Sequence, residues 1–314
     1  MNVEYVYLNI KFSKGEFLMN FKKWLTAVCS AAVLTSASMA AVAAQTVETQ
    51  VKDSAAVKSE KPDYSFLNGK IGTTISTMFG EEAFKGLVNK YRGTNIEKII
   101  YSDSNASALA MLKSGRANFI ITADITADYV TQRNPEFKSF NCIDSRDFVM
   151  VLRNSDAGLK DALDSAIAKL KESGKTDELY KKWVKELPVG EEPSMNKIEK
   201  VSDTAEVIYV GVSGDAPPLD YMAADGKPAG YNLALLAEIS KIIGKNIEIV
   251  SIDSKARYAA LESKKIDVFF WQVIPAEKEM LENMKPIEDR SVFNKKFAVT
   301  KPYCTVKTAF LLKK

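Results

Sequence analysis

Short apolar runs alternate with amphipathic stretches along the chain from Gly69 onward. The short runs end at turn-forming residues and predict β-strands, whereas apolar positions three and four residues apart predict helices. In the first half we predict strands at 70–74, 96–101, 118–122 and 148–152, a helix capped by Ser76-Thr77, and helices at 105–114, 123–132 and along 159–187.

The same alternation returns in the second half, after a Pro- and Gly-containing linker at 188–205. Strands are predicted at 207–212, 247–252 and 267–271, with helices at 233–243 and 256–263. Strands that alternate with helices indicate an α/β fold with mainly parallel sheets. The apolar stripes of the helices are predicted to pack in the core.

The region before Gly69 has a different pattern, which predicts export. Basic residues at Lys22 and Lys23 precede an apolar run at 24–34, and small residues lie before Gln45, as in a signal peptide. The apolar run is too short for a good membrane span. We therefore predict a signal peptide at 19–44, preceded by an extension at 1–18 that is extra or untranslated, and followed by a flexible leader at 45–65.

Composition narrows the function further. The chain has 314 residues, 46% of them hydrophobic, and a net charge of +3, so nothing indicates nucleic acid as a partner. It contains no histidine, which excludes Ser-His and Cys-His nucleophile pairs and most catalytic zinc sites. No cysteines or acids have the spacing of metal ligands. We expect no metal, no cofactor and no enzymatic activity.

Two cysteines, Cys142 and Cys304, remain after removal of the signal peptide. In an exported protein such a pair is either a disulfide or two free buried thiols. The sequence leaves both alternatives open.

Three motifs in residues 207–245 carry a family resemblance. They are Pro217-Pro218, Asp225-Gly226 and Gly230-Tyr231-Asn232 at a predicted helix start. This segment resembles the opening of the family 3 extracellular solute-binding proteins, the amino-acid-type receptors of ABC importers. Thr300-Lys301-Pro302-Tyr303 resembles the segment that precedes the family's first crossing between its two lobes.

The first half of the chain resembles the end of the same family. Residues 69–187 are similar to its second lobe and to the return into its first lobe. The resemblance implies a two-lobed periplasmic-binding-protein-like fold of type 2 with its halves in permuted order. Two explanations remain open: a circularly permuted receptor, or partial tandem copies of one.

The resemblance also implies a division into segments. The second lobe is expected at 66–145, the return segment of the first lobe at 146–187, the linker at 188–205 and the N-terminal part of the first lobe at 206–314. In a permuted protein Cys142 and Cys304 would both lie near the hinge, where a bridge between them is one possibility.

An amino-acid ligand carries a carboxylate, and several positions that match the family suit it. Ser76 and Thr77 stand where the family has a Gly-Ser/Thr pair at a helix start, whose free N–H groups attract an anion. The family's arginine after the strand at 267–271 is absent, so Lys278 or Arg257 would have to replace it. Helix capping and a solvated lysine are the structural alternatives.

Other candidates suit the remainder of the ligand. Trp271 is predicted to line the cleft and Gln272 to hydrogen-bond there, with core packing as the alternative for the tryptophan. Asp124 and Asp215 are the two candidates for an ammonium group, and helix capping or turn formation are their alternatives.

The resemblance implies a non-enzymatic receptor that captures a small polar solute, amino-acid-like in character. Its expected place is the periplasm or the outer face of the membrane, and its expected partners are the membrane subunits of an ABC importer. The competing hypotheses are a binding-incompetent tandem fragment or lobe-exchanged oligomer, and an enzyme similar to the cyclohexadienyl dehydratases, which would need an acid–base pair without histidine.

Overall fold

The computed structural model describes residues 62–75, 77, 79–190, 193–195, 197–275 and 295–314. Residues Pro62–Lys314 form one compact unit. The predicted signal peptide, the extension before it and the leader up to residue 61 lie outside the described residues. So do two candidate site residues, Ser76 and Lys278.

The elements follow the predicted alternation. The strands are β1 (Ile71–Ile75), β2 (Lys98–Ser102), β3 (Phe119–Ala123), β4 (Phe137–Arg153), β5 (Val207–Val212), β6 (Asp215–Ala216), β7 (Asp220–Met222), β8 (Pro228–Ala229), β9 (Asn246–Ser251), β10 (Val268–Pro275), β11 (Phe297–Val299) and β12 (Cys304–Lys313). The helices are α1 (Glu81–Arg92), α2 (Asn105–Ser114), α3 (Asp124–Arg133), α4 (Ala157–Glu172), α5 (Lys175–Tyr180), α6 (Tyr231–Ile243) and α7 (Arg257–Glu262), and a π-helical turn at Lys181–Lys185 continues α5.

One long sheet runs through the molecule in the order β2-β1-β3-β12-β4-β10-β5-β9, and β11 also pairs with β4. Each end of this sheet consists of three parallel strands, β2-β1-β3 at one end and β9-β5-β10 at the other. In both triplets the strand that comes first in the chain lies in the middle. We call the first triplet with α1, α2 and α3 the N-lobe, and the second triplet with α6 and α7 the C-lobe. The remaining strands β6, β7 and β8 form a small separate sheet, which we count in the C-lobe because its buried residues belong to the same apolar cluster as those of α6.

Two long antiparallel strands join the lobes. Strand β12 pairs antiparallel with β4, and the paired residues run from Cys304 opposite Phe148 to Lys313 opposite Phe137. The later half of β4 pairs with β10 of the C-lobe, and β12 pairs with β3 of the N-lobe. The molecule is therefore a two-lobed α/β protein with two crossing strands, as the resemblance implies.

β12 changes the expectation for the end of the chain. The sequence interpretation placed all of 206–314 in one lobe, whereas Ala309, Phe310 and Leu311 are buried in the apolar clusters of the N-lobe. β12 is therefore the segment that crosses between the lobes. Its apolar residues on both faces allow it to be buried in the sheets of both lobes. The other segment boundaries stay predictions.

The helical stripes are confirmed as core. Leu163, Ile167 and Leu170 of α4 are buried, as are Leu179 and Trp183 in the next helical stretch. They belong to the largest apolar cluster, which fills the C-lobe. The N-lobe has two smaller clusters.

The predicted cap of α1 by Ser76-Thr77 is wrong. Gly80 is the N-cap residue, and Glu81 and Glu82 occupy the first turn, where acidic side chains complement the helix dipole. The hydroxyl of Thr77 instead accepts a hydrogen bond from the Phe79 N–H (3.1 Å). Thr77 therefore stabilises the loop before the helix through this hydrogen bond.

The cysteines do not form a bridge; both thiols are free and buried. Cys304 lies opposite Phe148, which is about 20 Å along β4 from Cys142 at the rise of an extended strand. That separation is far beyond the Cα distance of a disulfide. Burial raises the pKa of the Cys142 thiol to about 11 and that of Cys304 to about 12.

The Gly230-Tyr231-Asn232 motif has a structural role here. Gly230 has a φ of +116°, and a side chain there would meet the Leu219 carbonyl oxygen at 2.5 Å. Asn232 donates from its backbone to that carbonyl (2.8 Å) and from its side chain to Asp220 (3.0 Å). The motif therefore holds the start of α6 against the turn that follows Pro217-Pro218.

Candidate ligand-binding site

A cavity of roughly 200 Å³ is lined by residues of both lobes. The N-lobe contributes the loop before α1 and the first turn of α2, with Thr77, Phe79 and Asn105. The C-lobe contributes the strand ends of β5 and β10 and the start of α7, with Arg257 and Trp271. A mostly apolar cavity with a few polar groups at the carboxyl ends of parallel strands is typical of a small-molecule site.

Trp271 lies in this cavity in an unusual backbone conformation. Its φ is +56°, at a bulge where the register between β10 and β4 shifts. The side chain is only 8% exposed, and its Nε1 has no hydrogen-bond partner among the described residues. A strained backbone and an unsatisfied buried donor both cost free energy, and such features concentrate at functional sites.

Arg257 is the first residue of α7 and is only 2% exposed. Its guanidinium carbon lies 5.2 Å from the centre of the Tyr258 ring and 5.3 Å from that of Phe269. Burial lowers the pKa of the guanidinium, while Tyr258 acts in the opposite direction. The guanidinium therefore lies beside two aromatic rings at the wall of the cavity, where cation–π attraction stabilises it.

Gln272 positions a neighbour of that arginine. The Tyr258 hydroxyl donates to Gln272 Oε1 (2.7 Å), and Gln272 Nε2 donates to the Val273 carbonyl (3.1 Å). Both polar atoms of the amide are therefore engaged with protein groups. Gln272 lines the cavity, and its side chain orients Tyr258 beside Arg257.

The two predicted acids lie elsewhere. Asp215 Oδ2 accepts the backbone N–H of Asn105 (2.7 Å), the first residue of α2 in the opposite lobe. Asp124 begins α3 and accepts the N–H of Ile125 (2.9 Å). Neither carboxylate lines the cavity, because each is used at a helix start.

Interlobe contacts surround α2. Its N-terminal N–H groups are shared between the Ser104 hydroxyl, which accepts from Ser107, and Asp215 from the C-lobe. Asp103, just before the helix, forms an ion pair with Lys255 of the C-lobe. The start of α2 therefore joins the lobes at the edge of the cavity.

The other end of the cavity lies within the N-lobe. Apolar residues of α1 and of the sheet line it: Phe84, Leu87, Val88, Tyr91, Ile121 and Phe310. Arg92 and Arg146 line it as well, and both form ion pairs with Asp144. Burial acts to raise the pKa of Asp144, but the two guanidinium groups lower it and prevail.

Of the eight candidate residues, four lie in the cavity: Thr77, Arg257, Trp271 and Gln272. Sequence reasoning missed Asn105 and Ser254, which also line it. A signal for Asn105 was present, since Ser104 is a good cap before the predicted helix at 105–114. The same helix-start argument that was applied to Ser76-Thr77 could have been applied there.

Residues 208–314 match the family model described as bacterial extracellular solute-binding proteins, family 3. The match covers the C-lobe and β12, and for this part of the chain the resemblance is confirmed. The two-lobed fold agrees with this match. A search of curated proteins finds no match.

Solved structures with some similarity include three different kinds of protein. A ligand-binding component of an ABC-type import system from Staphylococcus aureus, with zinc bound, is 12% identical over 78% of this chain, with a TM-score of 0.39. The GluR0 ligand-binding core from Nostoc punctiforme in complex with L-glutamate is 12% identical over 78% of this chain and 85% of its own, with a TM-score of 0.34. Full-length CbnR, complexed with its target DNA, is 11% identical over 95% of this chain and 84% of its own, with a TM-score of 0.36.

At these TM-scores the similarities carry no argument about ligand or partner. The chain spans 65% of the length of the Staphylococcus aureus structure. Within the described part of the chain, no three Cys, Asp or Glu side chains are grouped to hold a metal ion. None of the described helices is long and apolar enough to cross a membrane.

Proposed function

We propose that this protein captures a small polar solute in the cavity between its lobes, outside the cytoplasm, and presents it to an ABC importer. Hinge motion about β4 and β12 would open and close the cleft. The observation that carries the proposal is Trp271: a strained, buried tryptophan with an unsatisfied donor lines a cavity to which both lobes contribute. A bound solute with an acceptor group would satisfy that donor.

The pairing of β12 with β3 supports the permuted arrangement over partial tandem copies. Both lobes and both crossing strands occur once within the unit Pro62–Lys314. A cleft between these lobes would not need a second copy of the chain. Export rests on the predicted signal peptide at 19–44 and on the extracellular family that matches the C-lobe. An amino-acid-like solute and the importer subunits stay predictions.

A thermal-shift screen of the purified chain tests the proposal. Amino acids, small peptides, polyamines and organic acids would be added one at a time. A solute at a hundredfold excess over its Kd stabilises the folded state by about 2.7 kcal/mol. We expect one chemical class to raise the melting temperature clearly. A cooperative melt that no solute moves would contradict the proposal and favour the binding-incompetent alternative.

The variant Trp271→Phe shows whether the solute binds at the proposed place. It keeps an aromatic ring but removes the indole N–H, so the affinity for the solute found in the screen should fall about 5- to 20-fold, as for a lost buried hydrogen bond. Trp183→Phe is the matched control, because Trp183 is buried in the C-lobe core and does not line the cavity. Equal effects of the two variants on affinity would rule out the proposed location.

A further inference from the structure

We propose that the solute is an uncharged molecule with one apolar ring and a single hydrogen-bond acceptor, such as a small aryl ketone. The inference rests on the proposed function, since it names the class of solute for the same cavity. It departs from the amino-acid-like ligand expected from the sequence, which carries two charged groups.

Most of the described residues that line the cavity are apolar. Both lobes and the strands between them contribute such side chains, among them Phe79, Leu87, Ile121, Phe148, Leu219 and Phe310. An apolar cavity of about 150 Å³ holds benzene in another protein. The volume here, roughly 200 Å³, is therefore suited to one ring with a short substituent.

Several polar side chains of the lining already have partners within the protein. The hydroxyl groups of Thr74, Ser213 and Thr308 each donate to a carbonyl or carboxylate oxygen, over 2.8 to 2.9 Å. Both polar atoms of the Gln272 amide are engaged as well. An acceptor on the solute could bind these donors only by breaking existing hydrogen bonds, which costs free energy.

The arginines at the N-lobe end also interact with the protein. Arg92 and Arg146 both form ion pairs with Asp144, and Arg146 Nε donates to the Thr308 hydroxyl (2.9 Å). The Arg92 guanidinium carbon lies 4.9 Å from the centre of the Tyr64 ring. These contacts account for both cations without an anion from the solute.

Arg257 at the C-lobe end has protein partners too. Its guanidinium lies beside the rings of Tyr258 and Phe269, and the Tyr258 side chain also hydrogen-bonds to it. The Tyr258 hydroxyl in turn donates to Gln272 Oε1 (2.7 Å). A carboxylate on the solute would lose its hydration in this aromatic wall and compete with those contacts.

The edge of the cavity gives a charged group no better place. Among the described residues that line the cavity, none is Asp or Glu, so an ammonium group would be buried there without an acid. The start of α2, where a helix N-terminus attracts an anion, is occupied by Asp215, which accepts the Asn105 N–H (2.7 Å). A solute carboxylate would have to displace that side chain and break a contact between the lobes.

Trp271 accounts for the single acceptor of the solute. Its indole Nε1–H is buried and has no acceptor among the described residues, and its ring centre lies 6.1 Å from that of Phe269. A ketone oxygen accepts a hydrogen bond from such a donor and brings no charge into the cavity. One ring and one acceptor therefore match the apolar lining and the unsatisfied donor.

Four one-ring compounds test the inference by isothermal titration: acetophenone, benzoate, benzylamine and ethylbenzene. The same compounds are added to the thermal-shift screen. Acetophenone and benzoate are nearly equal in size and differ in charge. We expect acetophenone to bind, and benzoate and benzylamine to bind on the order of 100-fold more weakly or not at all, because the cavity would have to bury their charge.

The variant Trp271→Phe tests the hydrogen bond to the solute. It should weaken the binding of acetophenone about 5- to 20-fold, as for a lost buried hydrogen bond, and leave that of ethylbenzene, which has no acceptor, unchanged. Trp183→Phe is the control and should change neither affinity, because Trp183 lies in the C-lobe core away from the cavity. Equal weakening of both compounds by Trp271→Phe would overturn the acceptor contact.

An NMR measurement on the unaltered protein decides the same point if Trp271→Phe does not fold. The indole N–H resonance of Trp271 should move downfield when acetophenone binds, because the proton then gains an acceptor, and should not do so with ethylbenzene. The same displacement with both compounds would contradict the hydrogen bond.

The outcomes separate this inference from the proposed function. Benzoate or benzylamine binding as tightly as acetophenone would overturn the uncharged solute while leaving a solute receptor in place. An amino acid, peptide, polyamine or organic acid that raises the melting temperature when acetophenone and ethylbenzene do not would do the same. Absence of binding by all of these compounds would contradict the proposed function itself.

Discussion

At the scale of single residues, Asp220 shows how the chain uses a buried carboxylate for structure. It is fully buried and accepts hydrogen bonds from the Ser213 hydroxyl (2.9 Å), the Gly214 N–H (2.7 Å) and the Asn232 amide (3.0 Å). Burial raises its pKa to about 6, from an ordinary 3.8, although the hydrogen bonds lower it. Asp215 nearby adds to the increase.

This pKa predicts a pH dependence of stability. Between pH 4 and pH 6 the folded protein holds a proton on Asp220 that the unfolded chain has lost, so the contribution of Asp220 to stability falls as the pH rises. The fall is complete above pH 6 and amounts to about 3 kcal/mol. Urea unfolding of the wild type and of Asp220→Asn at pH 4, 5 and 7 measures it.

The comparison with the variant removes the contribution of other carboxylates. Asp220→Asn is destabilised at each pH, because an amide offers one acceptor atom instead of two. The advantage of the wild type over the variant should be larger at pH 4 than at pH 7. An advantage that does not change with pH would show that Asp220 does not titrate in this range.

At the scale of secondary-structure elements, the start of α2 joins the two lobes at the edge of the cavity. Asp215 of β6 caps it from the opposite lobe, and the two residues are 110 positions apart in the sequence. An acidic side chain at a helix N-terminus contributes about 0.5–2 kcal/mol. The ion pair of Asp103 with Lys255 is exposed and adds little.

Removing this cap should shift the protein toward an open form. For Asp215→Ala we expect a larger radius of gyration in solution scattering without solute, and an affinity for the solute about 5-fold weaker, because part of the binding free energy would then close the cleft. Asp161→Ala, on the exposed face of α4, should change neither quantity. An unchanged radius and affinity in Asp215→Ala would mean that this contact does not control closure.

The elements also show where sequence reasoning succeeds and stops. The strands and helices of both lobes could be predicted because buried strands and amphipathic helices leave local patterns, as in 118–122 and 159–170. The path of β12 could not, because pairing with β3 joins residues far apart in the sequence. The positive φ of Trp271 arises from a bulge against β4 and has no local signature.

The candidate site, like the fold, could be predicted from the sequence only in part. Arg257 could be proposed as a cation that replaces the arginine missing from the family pattern, and Trp271 because it ends a buried strand at the side where ligands bind in such sheets. The placement of Asp215 depends on which lobe faces it, which is a property of the tertiary structure. Its use as a cap for α2 therefore could not be read from local sequence.

At the scale of the whole molecule, two lobes and two crossing strands form one folded unit. β4 and β12 belong to the sheets of both lobes, and Phe310 near the end of the chain is fully buried beside Tyr64 and Phe119 of the N-lobe. Neither lobe can unfold without breaking these strands. The lobes should consequently unfold together.

Scanning calorimetry of the purified chain, with and without the solute that binds best in the thermal-shift screen, measures whether the lobes unfold together. We expect a single transition whose calorimetric and van't Hoff enthalpies agree, and which moves to higher temperature as the solute concentration rises. Two separate transitions, only one of them sensitive to solute, would contradict the single two-lobed unit. A single transition that neither this solute nor any other shifts would contradict its role as a receptor.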